Sequence, residues 1–295
     1  MDASAIVAQA LSGLTTAMFL FLTAAGLSLI FGVLRVLNFT HGSFYMLGAY
    51  CAYQFTRWIG VPEQGFWVGV LAAAAVVALV GGIVERLLLR HLYDKEELFQ
   101  LLFTYALVLI FADIVKAIWG VQQLPITRPP SLTGSLSVFG ASMPYYNLFI
   151  VALGPVIALV LWFILQHTKA GRVIRAAALD REMVSALGIN VSWLYTGVFV
   201  IGTFLAALGG ALVTPVSAVV LGMDAEIIIA AFIAVVIGGL GSFWGAVLGA
   251  VIYGQVLSFG ILFMPRFSLF AVFALMAAVL IVRPYGLLGK RGASQ

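Results

Sequence analysis

The chain has 295 residues, of which 63% are hydrophobic and only 9% are charged, and its mean hydropathy is +1.15. Soluble globular proteins are about half apolar and about a quarter charged, so this composition excludes a fold surrounded by water and indicates one embedded in lipid. The formal net charge is +4, and the basic residues form no long run interleaved with aromatic residues, which argues against nucleic-acid binding. The single Cys51 has no partner for an intrachain disulfide.

Apolar runs recur along the chain at the length of roughly 20 residues that a membrane-crossing helix requires. Six long runs and three shorter or interrupted ones lie near residues 8–33, 43–59, 66–84, 99–119, 145–166, 193–215, 226–238, 244–263 and 268–282. Lipid offers the backbone no hydrogen-bond partner, and the runs lack the alternating pattern of barrel strands. The sequence therefore predicts an all-α, polytopic membrane bundle of about eight to ten spans that forms a single domain over residues 1–295.

A polar stretch, Asn38-Phe39-Thr40-His41-Gly42, separates the first two apolar runs. At membrane depth Asn38, Thr40 and His41 would be costly to bury and therefore functional, whereas in a short cytoplasmic turn they would be ordinary turn and cap residues. The tetrapeptide Gly-Ser-Phe-Tyr from Gly42 resembles Gly-Ser-Phe-Trp from Gly241, and paired broken helices are typical of transporters whose solute site lies where the breaks meet. We therefore expect the polar or small residues of this first break to line a solute path: Asn38, Thr40, His41 and Gly42.

The only long polar segment inside the chain covers residues 167–190. Strong helix formers from Arg172 to Leu187, followed by Gly188, predict a short helix that lies outside the bilayer and ends at that glycine. The charge of the segment fits a basic loop that only fixes topology equally well. Its alanine run and defined end favour contact with a partner.

Four glycines fall within eight residues between two of the later apolar runs. Such a break is tolerated in a membrane where the freed backbone is buried in protein or lines a watery cavity, so we expect Gly238, Gly239, Gly241 and Ser242 to join the solute path as a second discontinuous helix. The glycines spaced by four from Gly241 to Gly249 also form a smooth stripe, and helix packing is the alternative interpretation of this region.

Basic residues gather in three segments that the predicted spans place on one side of the membrane: Arg86, Arg90 and Lys95; Lys169, Arg172, Arg175 and Arg181; Arg283, Lys290 and Arg291. The excess of Lys and Arg in cytoplasmic loops assigns these segments, and with them the C-terminus, to the cytoplasm. The proline-rich stretch from Gly120 to Tyr145 then lies outside, where it is either part of a docking surface or only a loop.

The motifs described above follow one another as they do in a known family. Asn38–Gly42, Gly171–Asn190, the Gly238–Gly249 stripe and the ending Arg283–Gly289 together resemble the branched-chain amino acid permease family of ABC importers. The resemblance covers nearly the whole chain and departs from the family at Thr40, where alanine is common. It implies a multi-pass permease of the bacterial inner membrane that imports branched-chain amino acids, with urea, amides and aromatic acids as alternative solutes.

The resemblance also implies partners: cytoplasmic ATP-binding subunits, a sister permease that completes the path, an extracytoplasmic solute-binding protein and membrane lipid, with no cofactor or metal. The sequence has no Gly-x-x-x-x-Gly-Lys-Ser/Thr phosphate loop, so energy must come from another subunit. In the family the polar segment is a coupling helix held in a groove of the ATPase. That role is carried onto Gly171, Arg172, Arg175, Ala176, Ala177, Asp180, Gly188 and Asn190.

Two other classes of protein fit the sequence less well. An intramembrane enzyme lacks support, because the chain has neither a His-Glu-x-x-His pair nor a Gly-x-Ser-x-Gly elbow, and Asp113 and Lys116 are expected to neutralise each other one helical turn apart. A stand-alone channel or ion-coupled carrier often needs an ionisable residue deep in its bundle, whereas the mid-span candidates here, such as Gln255, are neutral. We therefore expect a transporter subunit without enzymatic activity of its own.

Overall fold

A computed structural model describes residues 3–289 and is built almost wholly of helices. Its eleven α-helices, counted over the described residues, are α1 (Ala3–Leu34), α2 (Thr40–Ile59), α3 (Pro62–Leu87), α4 (Glu97–Trp119), α5 (Tyr145–His167), α6 (Lys169–Leu179), α7 (Arg181–Ala186), α8 (Val191–Val213), α9 (Met223–Gly238), α10 (Phe243–Phe263) and α11 (Ser268–Val282). The strands β1 (Ser135–Val138) and β2 (Ala141–Pro144) form one antiparallel hairpin.

Seven of these helices, namely α1, α3, α4, α5, α8, α10 and α11, are long and apolar enough to cross a membrane. Helices α2 and α9 run beside them and correspond to the shorter runs predicted at 43–59 and 226–238. The prediction of a polytopic helical membrane bundle is therefore confirmed. The short α6 and α7 fall within the polar segment 167–190.

Helix α1 forms the centre of the bundle, and its small residues allow other backbones to approach closely. A Cβ added at Gly13 would lie 3.0 Å from the carbonyl oxygen of Gly254 in α10. At the other end of α1, a Cβ at Gly32 would lie 3.1 Å from the Cα of Gly241. Helices α1 and α10 are therefore antiparallel and packed almost backbone to backbone, as small residues permit in membranes.

The segments rich in basic residues gather at one end of the bundle, which we call the basic end. Residues 88–96 contact α7 there through an ion pair between Asp94 and Arg181, whose charged atoms are 3.8 Å apart. A cleft of about 470 Å³ at this end is lined by Arg35, Lys95 and residues 177–182, among others. The first two basic segments predicted to share one face thus lie together, and the third is linked to this end because Gly289 packs on Gly239 and Gly241 packs on Gly32. Lys290 and Arg291 lie outside the described residues.

The opposite end carries the β-hairpin, and we call it the hairpin end. Glu63 at the beginning of α3 accepts hydrogen bonds from the backbone N–H and the hydroxyl of Ser131, at 3.0 and 2.7 Å, so the stretch 120–145 is folded against the bundle. Asp113 and Lys116 near the end of α4 are both exposed. The only ion pair within 4 Å in the described part of the chain is that of Asp94, so the expected pairing of Asp113 with Lys116 is not formed.

Candidate functional site

The first break in the helices lies between α1 and α2, and we call residues 35–42 the early break. Arg35 is exposed with a positive φ of 56°, but Asn38, Thr40 and His41 are each fully buried. The residue that caps the beginning of α2 is Phe39, and it makes no side-chain capping hydrogen bond. These three polar residues are therefore not the exposed turn and cap residues of the alternative interpretation.

Some polar atoms of the early break have partners and others have none. The Thr40 hydroxyl donates to the carbonyl oxygen of Thr104 at 2.9 Å, and His41 Nε2 donates to that of Thr23 at 3.0 Å. Both side-chain polar atoms of Asn38, His41 Nδ1 and the Thr23 hydroxyl are buried without a hydrogen-bond partner among the described residues. Most buried polar groups in native proteins are paired, so this cluster retains unused hydrogen-bonding capacity.

The beginning of α2 packs against the beginning of α9. A Cβ at Gly42 would clash with the carbonyl oxygen of Asp224, so the two backbones touch at this glycine. The Ser43 hydroxyl donates to Asp224 Oδ2 over 3.4 Å, and the carboxyl group of Asp224 is buried. The expectation that only neutral residues lie deep in the bundle is therefore wrong. An aspartate two residues before the apolar run at 226–238 was the available signal.

The second break lies between α9 and α10, and we call residues 238–242 the late break. Gly239 and Gly241 adopt positive φ values of 111° and 75°. The chain end folds back onto this break, where the N–H groups of Leu287 and Leu288 donate to the carbonyl oxygens of Ile237 and Gly238 at 2.9 and 2.8 Å. The backbone freed at the end of α9 is thereby satisfied within the protein.

The glycine stripe after the late break packs α10 against α9. A Cβ at Gly245 would lie 2.5 Å from the carbonyl oxygen of Gly238, and a Cβ at Gly249 would clash with that of Ala234. The Ser242 hydroxyl accepts from the Gly245 N–H at 3.1 Å and so caps α10. The packing interpretation of the stripe is thus confirmed.

The two breaks contact α1 rather than each other in these interactions. The early break is bonded to α1 at Thr23, whereas at the late break the Ser28 hydroxyl donates to the Ser242 carbonyl oxygen at 3.2 Å and Gly32 packs on Gly241. Gly42 packs at the beginning of α9, and the late break follows its end. A path lined by both breaks would therefore run along α9 and α1.

The polar segment at the basic end forms two helices instead of the one predicted over Arg172–Leu187. The division falls at Asp180, whose side chain accepts a hydrogen bond from the N–H of Met183 at 2.9 Å and so begins α7. Gly188 follows with a φ of 80°, close to the predicted end. Asn190 accepts from the N–H of Trp193 at 3.2 Å and begins α8. Asp180 and Asn190 thus have local capping roles.

The side chains of this segment face in two directions. Gly171 and Ala177 are buried against the bundle, Arg175 is half-buried, and Arg172 and Ala176 are exposed. Three large apolar side chains that were not among the predicted contact residues are strongly exposed: Leu179 at 85%, Met183 at 61% and Leu187 at 73%. We call these three the apolar face. Their spacing of four residues within a polar segment was the available signal.

Comparisons with known proteins place this geometry in context. The family model described as "Branched-chain amino acid transport system / permease component" matches residues 9–281. The chain is 29% identical over 300 residues to the high-affinity branched-chain amino acid transport system permease protein BraD of Pseudomonas aeruginosa, covering 96% of this chain and 95% of that protein. The LivH permease of the corresponding Escherichia coli system is 28% identical over 307 residues, with the same coverage, and a probable LivH of Methanocaldococcus jannaschii is 27% identical over 293 residues, covering 92% and 88%.

Proposed function

The chain belongs to the branched-chain amino acid transport system permease family, and from that premise we propose that it imports branched-chain amino acids together with a sister permease. The observation that carries the proposal is the match over residues 9–281, which includes all or most of every described helix. As the permease subunit of an ABC importer it takes its energy from separate ATP-binding subunits. An extracytoplasmic solute-binding protein delivers the solute.

The proposed orientation places the basic end in the cytoplasm of a bacterial cell and the hairpin end outside the inner membrane. The excess of Lys and Arg at one end supports it, because cytoplasmic loops carry such an excess. Residues 285–289 pack on the late break and therefore lie at the basic end. Their position supports a cytoplasmic C-terminus. The folded stretch 120–145 then offers the solute-binding protein a fixed surface.

The proposed solute path passes the early break. An unpaired buried polar group costs about 1–3 kcal/mol, so the unpaired atoms of Asn38 and His41 favour a partner that the chain alone does not supply. An amino acid carries both donors and acceptors, and the Asp224 carboxyl group is suited to its ammonium group. Thr40 and Gly42 are the other two residues of the early break that line the proposed path. Because these residues are covered here, the beginning of α2 must move for solute to reach them.

The late break contributes to the path in two different ways in this proposal. Gly241 is exposed and Ser242 is half-buried, so these two residues form the inner mouth of the path. Gly238 and Gly239 are buried, and they bend the chain so that the mouth can form. The support is the positive φ at Gly239, which glycine adopts without the cost that side chains impose.

The apolar face is the proposed contact with the ATP-binding subunit, alongside the exposed Arg172 and Ala176. Exposed apolar side chains on a polar segment outside the membrane mark sites of protein contact. Ala177 and Gly171 instead hold the segment against the bundle, because both are buried. A bulky charged residue at Ala177 would therefore disturb the packing of α6 rather than test docking.

The proposal is tested in proteoliposomes that contain the chain, its sister permease, the ATP-binding subunits and the solute-binding protein. We expect ATP-dependent uptake of leucine, isoleucine and valine. Uptake of urea, amides or aromatic acids in their place would contradict the proposed assignment of branched-chain amino acids as the substrate. Leu187→Glu should reduce co-purification of the ATP-binding subunit about tenfold, since burying a leucine contributes roughly 1.5–3 kcal/mol. Leu187→Met is the matched control. Normal co-purification and uptake with Leu187→Glu would assign the segment to topology alone.

A further inference from the structure

A fully buried carboxyl group lies in the last turns of α3 at the basic end, outside the site described above. Glu85 has no exposed surface, although a buried charge is costly unless it is paired and hydrogen-bonded. Its Oε1 accepts from the Tyr93 hydroxyl at 2.7 Å, and its Oε2 accepts from the Thr196 hydroxyl at 2.6 Å. Both oxygens are therefore satisfied by donors from two different parts of the chain.

These hydrogen bonds join three elements at one point: α3, the segment 88–96 and the beginning of α8. The Tyr93 ring packs edge-on against Tyr195, with ring centres 5.6 Å apart, and the Arg86 guanidinium lies 4.2 Å from the ring centre of Trp193. Burial and the neighbouring Glu85 carboxyl group raise the pKa of Tyr93 well above its usual value, so its hydroxyl remains a donor at physiological pH. We call Glu85, Tyr93 and Thr196 the Glu85 cluster.

The Glu85 cluster is connected to the polar segment along two routes. Along the chain, α8 begins directly after that segment, with Asn190 as its cap, and Thr196 lies in its second turn. Through space, Asp94 next to Tyr93 forms the ion pair with Arg181 of α7. That pair is exposed and so contributes little by itself, which leaves the buried hydrogen bonds of Glu85 as the firm part of the connection.

A cleft lies between the Glu85 cluster and the polar segment, and the segment 88–96 on the side of the cluster is anchored to α4. The cleft of about 470 Å³ separates Tyr93 and Tyr195 from residues 177–182. The amide of Gln100 donates to the carbonyl oxygens of Leu92 and Lys95 at 3.0 and 3.1 Å, which fixes the segment 88–96 to α4. A displacement of the polar segment therefore reaches the Glu85 cluster through the beginning of α8, which follows it directly in the chain.

We propose that Glu85 is a positioning residue that transmits displacement of the polar segment to α3 and α8. This inference rests on the proposed function, in which an ATP-binding subunit moves that segment. Helix α8 packs on α1, where Gly202 opposes Gly26, and on α3, where Thr203 fills the space beside Gly81. With the Glu85 cluster intact, α3 and α8 move as one body. Without it, the beginning of α8 moves alone and the solute path does not respond.

The test measures the number of ATP molecules hydrolysed per solute imported by the complete complex in proteoliposomes. Glu85→Gln keeps the size of the side chain and an acceptor oxygen, so the bundle should still fold and bind its ATP-binding subunit. We expect the ratio to rise about fivefold, as a coupling free energy at the low end of the usual range implies. Tyr93→Phe should raise it less, and combining the two changes should add little to Glu85→Gln alone, because they break the same link.

The matched control is Glu96→Gln, which removes an exposed carboxyl group from the same segment and should leave the ratio unchanged. A parallel fall of ATP hydrolysis and uptake in Glu85→Gln, or an unchanged ratio, would reduce Glu85 to a structural residue and overturn the inference. If Glu85→Gln does not fold, Tyr93→Phe decides by the same ratio. Failure of the unaltered complex to import any branched-chain amino acid would instead contradict the proposed function.

Discussion

The early and late breaks end in similar sequences, Gly-Ser-Phe-Tyr from Gly42 and Gly-Ser-Phe-Trp from Gly241, but their polar groups are satisfied in opposite ways. At the late break the freed carbonyl oxygens accept hydrogen bonds from the chain end, and glycines bring backbones into contact. At the early break the backbone is unremarkable apart from Arg35, and polar side chains are buried with several atoms unpaired. One break is thus complete within the chain, whereas the other retains bonding capacity for a partner.

This difference distinguishes polar groups that must be paired for stability from polar groups that are left unpaired for function. Backbone polar groups in a membrane must be satisfied wherever the helix is interrupted, so a complete break is what stability alone requires. The unpaired side-chain amide of Asn38 lowers the stability of the fold. Such a group is expected where function requires it. Substitutions that disturb the backbone contacts of the late break should therefore lower stability first, and substitutions in the early break should change transport more than stability.

The largest effect is expected for Gly239→Ala in the late break. At a φ of 111° a side chain is strained, and the new Cβ would lie 2.9 Å from the Tyr285 carbonyl oxygen and clash with the Gly289 backbone. We expect a loss of about 3 kcal/mol or more, from backbone strain of order 1–3 kcal/mol together with the clash. Thermal unfolding of the purified protein in detergent measures the loss.

Gly241→Ala is the matched control for this change. Its φ of 75° lies nearer the left-handed helical region, which costs roughly 1–2 kcal/mol for a residue with a side chain, and its Cβ would meet Gly32 at 3.1 Å. The loss should therefore be smaller than for Gly239→Ala. Equal and small losses at both glycines would show that the late break is not held by close backbone contact.

An effect of intermediate size is expected for two neighbouring substitutions in the early break. Thr40→Val removes the hydrogen bond to the Thr104 carbonyl oxygen and should cost about 1 kcal/mol of stability. Asn38→Leu replaces an unpaired polar group and should leave the unfolding temperature unchanged or higher, yet reduce uptake at least tenfold. Unfolding in detergent and uptake in proteoliposomes measure the two quantities. Destabilisation by Asn38→Leu with normal uptake would remove Asn38 from the solute path.

The smallest effect is expected for Ser28→Ala, which removes the hydrogen bond between α1 and the late break. That bond is 3.2 Å long, and the Ser242 carbonyl oxygen it leaves lies at a half-buried residue, so the loss should be about 0.5 kcal/mol. Uptake should be unchanged. A loss of uptake without loss of stability would mean that Ser28 itself meets the solute and that the late break is as functional as the early one.

Much of the architecture was predictable because lipid imposes simple rules on the sequence. Apolar runs of sufficient length gave the spans, and the polar segment with Gly188 at its end gave the helical region at the basic end. The division at Asp180 was not predicted, because strong helix formers on both sides hide a capping aspartate. Propensity alone does not decide between a helix interior and a cap at such a residue.

The candidate site was less predictable, because side-chain direction depends on which helices become neighbours. Asn38, Thr40 and His41 were identified by their polarity, but their complete burial follows from packing against α1, α4 and α9. Ala177 and Leu179 are two residues apart and similar in pattern, yet one faces the bundle and the other is exposed. The partner of Asp224 is 181 residues away in the chain, and no local pattern indicates it.

The packing of residues 285–289 on the late break also sets an order of events in biosynthesis. Among the described residues, the carbonyl oxygens of Ile237 and Gly238 obtain these partners from Leu287 and Leu288, which are synthesised 50 residues later. Until then, the last carbonyl groups of α9 lack these two hydrogen-bond partners. The ribosome must therefore add the whole of α10 and α11 before the junction between α9 and α10 is complete, and a chain truncated before Leu287 lacks these two hydrogen bonds.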